Sequence, residues 1–424
     1  MDAGSVRQDG GALTLAPPRE IDADAVEERG RTVRAAVAAV AHEFARDGLA
    51  RGQRQALDHA DFAALTRAGF LRTGLPASAG GLWQGLRASV RQYAQLVRTI
   101  ASGDPSVALV AAMHPLVLCY WNAIDHVADG NRAAWLQQQR FIYDTVRSGC
   151  WWGTITSEPG SNGDISSTRA SATPVGGLNY LLTGEKHFAS GAGVASFMTT
   201  AARVVADDDP PTFFLDMRNA PWDGSRGMTM TRAWDGHGMS ATQSHAFRFD
   251  RFPVTCIAAP DSAVQARAIM APLSAIMFAA VAVAIVTLAM DYARARVSGG
   301  EPRKLETAEW LRAESTAWLI EQAYEGAIGA AEGDDLRAAH VAALHSKLLI
   351  GELGEDLLLR LGRIVGGGSF SRGQPLGQWG QDIRALGFLR PPWGLAWQQL
   401  AAGLRAQADA GASQSVADAP DIVQ

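Results

Sequence analysis

Apolar positions recur at three- and four-residue spacing in two long stretches of the chain and alternate with polar positions in the stretch between them. Residues 22–149 have the helical spacing, with Gly, Pro and Asp separating the segments, and this spacing returns from about Val264 to Ala408. From Cys150 to about Pro260 the pattern changes to short alternating runs, which predicts strands. The order predicts an α+β protein in which a small antiparallel β domain lies between two helical sections.

These changes of pattern divide the 424-residue chain into five segments. We expect, in order, a disordered arm, an N-terminal helical domain, a central β domain, a C-terminal four-helix bundle and a disordered tail, over residues 1–20, 21–149, 150–260, 261–408 and 409–424. The arm has neither a basic start followed by an apolar run nor a small-residue cleavage pattern. No secretory signal is therefore expected, and the cytoplasm is the expected location.

One segment is long and apolar enough to imitate a membrane span. Residues 271–290 carry no charge over twenty positions. About half of them are Ala, Ser or Thr, and no second apolar span accompanies the segment. We therefore expect a buried core helix, whose small side chains let neighbouring helices approach closely, and no membrane association.

Composition and charge restrict the classes of function. Apolar residues make up 47% and charged residues 19% of the chain, which is typical of packed globular proteins. The formal net charge of -5 provides no broad basic surface, so nucleic acid is not an expected partner. The cysteines Cys119, Cys150 and Cys256 have no CxxC spacing, which predicts neither a metal site nor a disulfide framework and fits a reducing compartment.

Four segments of the chain together resemble the acyl-CoA dehydrogenase superfamily. In chain order they are SEPGSNGD (157–164), LLTGEKHFASGAG (181–193), WDGHGMSATQSHAFRFDRFPV (234–254) and RIVGGGSFSRGQPLGQWGQD (363–382). Each alone is a weak signal, because such turns are common, but all four follow the family's order. The resemblance implies an acyl-CoA dehydrogenase-like flavoprotein, with FAD, or FMN as the alternative, between the β domain and the C-terminal bundle. It also implies a homodimer or homotetramer.

The resemblance further implies which residues contact the flavin. TITSEPG (154–160) and KHFAS (186–190) would lie against the isoalloxazine ring, while the C-terminal glycine turn would approach the cofactor pyrophosphate, commonly from a neighbouring subunit. The residues expected at the cofactor are Ile155, Thr156, Ser157, Phe188, Ser190, Arg363, Gly366 and Gly367. Reduced flavin carries negative charge near N1 and a hydrogen-bonding N5, which need positioned polar groups in a dry cleft.

The substrate side departs from the family pattern. Dehydrogenation of an acyl thioester needs a carboxylate that removes the α-proton. The resemblance places it shortly after Asp382, where Arg390 or its neighbours stand in this chain. Some members of the family instead have this glutamate near the start of the first C-terminal helix. It is also missing here, because residues 265–290 contain neither Asp nor Glu. Gly163 replaces a serine that often lies near CoA. We expect Gly163 and Arg390 to contact substrate and His114 to be the catalytic candidate, with a structural histidine as the alternative.

These observations leave three functional hypotheses. The main one is a flavin-dependent oxidoreductase of acyl-CoA dehydrogenase type, acting on an acyl thioester or related small substrate, with an electron-transfer flavoprotein as partner. The alternative is a two-component flavin-dependent monooxygenase, which receives reduced flavin from a reductase and attacks an aromatic or heteroatom substrate through a C4a-hydroperoxyflavin. The missing glutamates favour this alternative. The third hypothesis is a non-catalytic, flavin-free scaffold.

Overall fold

The computed structural model describes residues 22–123, 127–204, 209–297 and 304–417. The predicted arm, residues 1–20, and the last part of the predicted tail, residues 418–424, lie outside the described residues.

The N-terminal part of the chain is helical, as its apolar spacing predicts. Its helices are α1 (Ala23–Arg46), α2 (Gly48–Gly52), α3 (His59–Arg67), α4 (Leu86–Ala101), α5 (Pro105–Asn122) and α6 (Asp129–Arg147). Three aspartates start helices α1, α3 and α5, because the carboxylates of Asp22, Asp58 and Asp104 accept backbone N–H groups of the first turn. Helix α5 has no charged residue and is buried along most of its length, so it forms an apolar wall inside the fold.

The central part of the chain forms one seven-stranded sheet within the described residues. Its strands are β1 (Trp152–Thr154), β2 (Ser171–Gly176), β3 (Asn179–Ala189), β4 (Phe197–Ala201), β5 (Thr212–Asp216), β6 (Met228–Arg232) and β7 (His245–Cys256). The strand order is β1-β4-β5-β7-β3-β2, and β6 also pairs with β7. The pairs are antiparallel except β1 with β4, which run parallel. The prediction of an antiparallel sheet fails at this pair because a three-residue strand shows no period in the sequence.

The C-terminal part contains five helices over the described residues, where the sequence predicts four. They are α7 (Pro260–Val297), α8 (Lys304–Ala331), α9 (Leu336–Val365), α10 (Pro375–Phe388) and α11 (Trp393–Ala417). Pro391 and Pro392 separate the last two, because proline cannot continue a helix. The prediction of a disordered tail is wrong for residues 409–417, which extend α11. This stretch lacks the apolar period from which the other helices were predicted.

The apolar segment 271–290 is a core helix, as predicted. It lies in α7, which packs against α4, α5 and α9. Within the described residues, Val264–Val297 is the one stretch long and apolar enough to cross a membrane. Its most apolar window has a mean hydropathy of 2.5 and is 83% buried inside the fold. A helix that is buried to this extent by other parts of the protein is typical of the centre of a helical bundle.

An aromatic cluster joins α5 to the sheet. Trp152 stacks on Phe197 with ring centroids 4.6 Å apart, and Trp121 meets Trp152 edge-on at 5.5 Å. Phe214 packs against both tryptophans. Such pairs contribute about 0.5–1.5 kcal/mol each beyond the area that they bury. The cluster therefore fixes β1, and with it the loop that follows β1, against the helical layer.

Candidate functional site

A cavity of about 1210 Å³ lies where the β domain faces α5, α7 and the C-terminal helices. Turns of the β domain form one wall, with residues between 156 and 165, between 187 and 190 and between 234 and 244, and the segment 388–392 forms part of the opposite wall. Helices α5 and α7 add the apolar side chains Leu109, Met113, Leu116, Val117 and Phe278. A concave, largely apolar space with a few polar groups is the usual setting of a ligand site.

The two segments predicted to hold the flavin ring lie side by side on the β-domain wall. The backbone N–H of His187 donates to the carbonyl of Ser157 at 2.8 Å. This bond ties residues 157–164, here called the SEPG turn, to the end of β3. Behind them the ammonium of Lys186 donates to the carboxylate of Glu158 at 2.5 Å and to the carbonyl of Ala201 at 2.6 Å. Both charged side chains are buried, so this ion pair is an internal anchor for the turn.

Four of the residues predicted at the cofactor line the cavity, namely Thr156, Ser157, Phe188 and Ser190. Ile155 does not line it. The N–H of Ile155 donates to the carbonyl of Thr199 at 2.8 Å, and its side chain is buried in the β-domain core. Ile155 was expected at the cofactor, but its backbone N–H is used in pairing the end of β1 with β4.

Phe188 presents its ring to the cavity from an unusual backbone position. Its φ of +58° is in the left-handed region, which costs a residue other than glycine about 1 kcal/mol. The residue is 56% exposed, and its ring meets Trp234 edge-on with centroids 6.0 Å apart. An aromatic ring held in this way offers a flat apolar surface to a planar ligand.

Ser190 begins a chain of three buried hydroxyl groups. Ser190 Oγ lies 2.8 Å from Ser244 Oγ, which lies 2.8 Å from Thr242 Oγ1. Thr242 Oγ1 in turn lies 2.8 Å from the carbonyl of Met239. Because a carbonyl only accepts, Thr242 donates to it, Ser244 donates to Thr242, and Ser190 donates to Ser244. The Ser190 oxygen therefore remains as a hydrogen-bond acceptor facing the cavity.

Gly163 and Arg390, the residues predicted to contact substrate, both line the cavity, Gly163 on the β-domain wall and Arg390 on the opposite wall. Gly163 has a φ of +80°, and a Cβ there would lie 2.5 Å from Cγ of Pro392, so only glycine allows this approach. Arg390 is half-buried and lines the cavity. Its Nη2 lies 3.4 Å from Ser157 Oγ on the β-domain wall. The segment in which the resemblance implies a catalytic glutamate therefore brings a cation to the cavity wall.

No unengaged buried carboxylate lines the cavity in the part of the chain that the structure describes. Glu158 is paired with Lys186. The carboxylate of Asp164 accepts hydrogen bonds from the hydroxyl and the N–H of Ser166, which lower its pKa. Asp235 is exposed to solvent. Nor do the described residues bring together three His, Cys, Asp or Glu side chains that could hold a metal ion.

His114 has a structural setting that opposes its predicted catalytic role. It is fully buried and does not line the cavity. Its Nε2 donates to the carbonyl of Leu71 at 2.8 Å, and its Nδ1 accepts the N–H of Trp152 at 3.0 Å. Burial lowers the pKa of His114 to about 3, so the ring stays neutral near pH 7. Both ring nitrogens are occupied, and the residue links the 70–72 turn, α5 and β1.

His114→Leu should therefore lower the unfolding free energy by about 2–3 kcal/mol, since it leaves two buried backbone groups without partners. Chemical denaturation measures the loss. The flavin affinity of the folded variant should stay within about threefold of the wild-type value, because the ring touches no cavity-lining surface. A variant with wild-type stability but no turnover would restore the catalytic interpretation.

The residues predicted at the cofactor pyrophosphate lie away from this cavity in a single chain. Arg363, Gly366 and Gly367 do not line it. Gly366 ends α9 with a φ of +89°, and its N–H donates to the carbonyl of Gly362, which is a helix C-cap. Their predicted contact with a cofactor in a neighbouring subunit stays a prediction.

Several residues that shape the site were not predicted from the sequence. Thr242 and Ser244 lie in the third matched segment, so the T-x-S pattern was the signal for the hydroxyl chain. Lys347 and His340, on α9, gave no such signal. Lys347 is buried and donates to the carbonyl of Leu389 at 2.7 Å, next to Arg390.

Known proteins resemble this chain in sequence and in fold, although no family model matches it. The L-evernosamine nitrososynthase of Micromonospora sp. is 27% identical over 389 residues, which cover 85% of this chain and 87% of that protein. The dibenzothiophene monooxygenase of Rhodococcus qingshengii is 29% identical over 210 residues, 47% of each protein.

A solved structure has the same fold. KijD3 in complex with FMN and dTDP-3-amino-2,3,6-trideoxy-4-keto-3-methyl-D-glucose superimposes with a TM-score of 0.75 at 20% identity. The match covers 89% of this chain and 94% of that one. The acyl-CoA dehydrogenase-like α+β fold that the sequence predicts is thereby confirmed.

Proposed function

We propose that this chain is a flavin-dependent monooxygenase of the acyl-CoA dehydrogenase superfamily, the oxygenating component of a two-component system that takes reduced FMN from a separate reductase. The broader statement, a flavin-dependent oxidoreductase, follows from its relatives. Monooxygenation was the alternative hypothesis from the sequence, and dehydrogenation of an acyl thioester was the main one.

The observation that carries the proposal is the cation in the segment where the resemblance implies the catalytic base. Dehydrogenation of an acyl thioester needs a carboxylate that removes the α-proton. Arg390 lines the cavity from that segment, and a guanidinium cannot accept a proton. Of the three described carboxylates that line the cavity, Glu158 is paired with Lys186, Asp164 accepts hydrogen bonds from Ser166, and Asp235 is exposed to solvent. An oxygenating enzyme needs no such base, because the oxidising equivalent comes from O2.

The residues present fit a flavin ring. Phe188 offers an aromatic surface, the Ser157 hydroxyl lies at the same wall, and Ser190 presents an acceptor. Bound reduced flavin would supply the two electrons that activate O2. The apolar side chains of α5 and α7 would exclude water from the reacting centre, which limits loss of the oxidising equivalent to hydrolysis.

Ser190→Ala should lower the preference for reduced over oxidised FMN about tenfold. The flavin N5 carries a hydrogen only in the reduced ring, so the acceptor Ser190 favours the reduced form by about one hydrogen bond. The two-electron midpoint potential of the bound flavin should therefore fall by about 30 mV. Equilibration with redox dyes measures it.

Two further variants test the direction of the hydroxyl chain. Thr242→Val frees the Ser190 proton, so the potential should fall by a smaller amount. Ser274→Ala is the matched control, because Ser274 lines the same cavity but donates to the carbonyl of Ala271 at 2.9 Å. A Ser190→Ala potential equal to that of Ser274→Ala would refute the acceptor role.

The names of the relatives support a heteroatom as the oxygenated position. One relative is named an L-evernosamine nitrososynthase, and another is named a dibenzothiophene monooxygenase. We propose an organic amine or sulfide as the substrate class. FMN is proposed over FAD because the KijD3 complex contains FMN.

We also propose self-association through the C-terminal helices. Trp318 on α8 is 62% exposed, and Phe370, beside the glycine turn, is 96% exposed. A second copy covering this surface would place Arg363, Gly366 and Gly367 near a neighbouring cavity. Sedimentation velocity should show a dimer or tetramer at micromolar concentration, and a monomer would contradict the arrangement.

The proposed activity is tested by isotope incorporation. The protein is supplied with NADH, a flavin reductase, FMN, labelled O2 and a panel of amines and sulfides. We expect a product that carries oxygen from O2. The runner-up is tested without oxygen, by adding a panel of acyl-CoA thioesters to the protein with oxidised flavin. Bleaching of the flavin by a thioester, with no labelled product, would overturn the proposal in favour of dehydrogenation.

A further inference from the structure

Arg390 has more hydrogen-bonding capacity than the protein uses. A guanidinium has five N–H donors, yet the one side-chain hydrogen bond of Arg390 to the described residues is the 3.4 Å contact with Ser157 Oγ. None of the described carboxylates forms an ion pair with it. Its remaining donors are at the cavity wall, where a ligand could accept them.

The other arginines of the cavity differ in this respect. Arg267 pairs with Asp209 at 2.5 Å, and Arg384 lies 3.6 Å from the carboxylate of Glu355. Asp164 is the acid whose charge acts on Arg390. Because Asp164 accepts three hydrogen bonds from neighbouring serine groups, it is already engaged. Among the described arginines that line this cavity, Arg390 alone has no carboxylate partner.

Lys347 holds the backbone on both sides of Arg390. Its ammonium donates to the carbonyl of Leu389 at 2.7 Å and to the carbonyl of Pro391. The lysine is 2% exposed, so these bonds are shielded from water and correspondingly strong. The next residue, Pro392, packs against Gly163 on the β-domain wall. The Arg390 backbone is thus fixed from α9 on one side and from the SEPG turn on the other.

His340 adds a second unused polar group to this end of the cavity. It lines the cavity, and its Nδ1 is buried without a partner among the described residues. His340 and Lys347 are seven residues apart on α9, about two turns, so they face the same side of the helix within ~10 Å. The cavity therefore offers a ligand a further hydrogen-bonding group besides Arg390.

We propose that Arg390 binds an anionic group of the substrate, a carboxylate, phosphate or sulfonate, and that Lys347 positions it. The inference rests on the proposed function only in taking the bound molecule as the one that is oxygenated. The apolar wall of α5 and α7 would hold the rest of the molecule. A charge-assisted, bidentate contact in a cavity screened from water gives both affinity and orientation.

The test is calorimetric titration of the full chain, flavin-free and then with FMN, using 4-phenylbutyrate and 4-phenylbutanamide. The two probes share one tail and differ in the charge of the head. We expect the wild type to bind the carboxylate at least about tenfold more tightly. Arg390→Gln should abolish this preference, and Arg390→Lys should keep part of it. Arg384→Gln, a second arginine of the same cavity, should leave it unchanged.

Lys347→Gln separates positioning from binding. It should reduce the preference for the carboxylate while leaving the affinity for the amide unchanged, and circular dichroism checks that each variant is folded. Equal affinity of the wild type for both probes would overturn the proposal. So would a preference retained in Arg390→Gln, or an Arg390→Gln variant whose only loss is affinity for reduced FMN. Because the flavin-free titration involves no turnover, failure of the monooxygenase assay leaves this result independent.

Discussion

Lys186→Met should lower the free energy of unfolding by about 3–5 kcal/mol, because it leaves the buried carboxylate of Glu158 without its counter-charge. That carboxylate also accepts the N–H groups of Arg169 and Ala170, at 2.6 and 3.2 Å, so it is the point at which the SEPG turn is fixed. We expect flavin affinity to fall with stability, since the same turn carries Ser157. Urea denaturation followed by tryptophan fluorescence measures the first effect, and equilibrium titration with FMN the second.

Arg248→Met is the matched control. Arg248 pairs with Glu185 at 3.1 Å on neighbouring strands, and both side chains are exposed, so its loss should cost less than about 1 kcal/mol. The double variant Glu158→Gln/Lys186→Met should recover more than half of the single variant's loss, since no buried charge is left unpaired. If Lys186→Met and Arg248→Met were equally stable, the anchoring role of the buried pair would be refuted.

Asp382 should make the protein less stable as the pH rises from about 4 to 7. Burial raises the pKa of Asp382 to about 7, so in this range the folded protein keeps a proton that the unfolded chain releases. The stabilising contribution is complete below the unfolded pKa, near pH 4, and is lost as the pH rises through the folded pKa. The loss is on the order of 4 kcal/mol. Unfolding free energies at several pH values measure it.

Asp382→Asn should remove this dependence while keeping the acceptor oxygen. Asp382 Oδ1 accepts the N–H of Met239 at 2.6 Å and the side-chain amide of Gln378 at 2.9 Å, and an asparagine oxygen can accept both. Asp164→Asn is the opposite control, because the Ser166 hydroxyl lowers the pKa of Asp164 and its contribution is lost as the pH falls. A wild type and an Asp382→Asn variant with the same pH dependence would contradict the assignment.

The sequence predicts the layers of the fold because each layer is long enough to show its period. Helix α7 and the alternating runs of the sheet fall in this group. The parallel pairing of β1 with β4 could not be read, since three residues carry no pattern and the pairing partner is distant in the sequence. The end of α11 was missed for another reason. Residues 409–417 carry no apolar stripe that would mark them as helical.

The sequence predicts those parts of the site that a local motif positions. It does not predict the parts that are positioned by contacts between distant residues. Phe188 and Ser190 line the cavity as expected, because a matched turn positions them. His114 was expected as the catalytic candidate, with a structural histidine as the alternative. Adjacent residues of a helix face different directions, so its neighbour Met113 lines the cavity and His114 does not. The Lys347 contact joins residues 42 positions apart. No local pattern records such a contact.

The most direct test of the account is the reaction of the reduced-flavin complex with O2. The protein is mixed anaerobically with reduced FMN and then, in a stopped-flow instrument, with oxygenated buffer. We predict a transient spectrum distinct from those of reduced and oxidised FMN, which persists longer than with free flavin and decays faster when the substrate is present. Direct single-phase conversion to oxidised FMN and hydrogen peroxide, at the rate of free flavin, would contradict a monooxygenase.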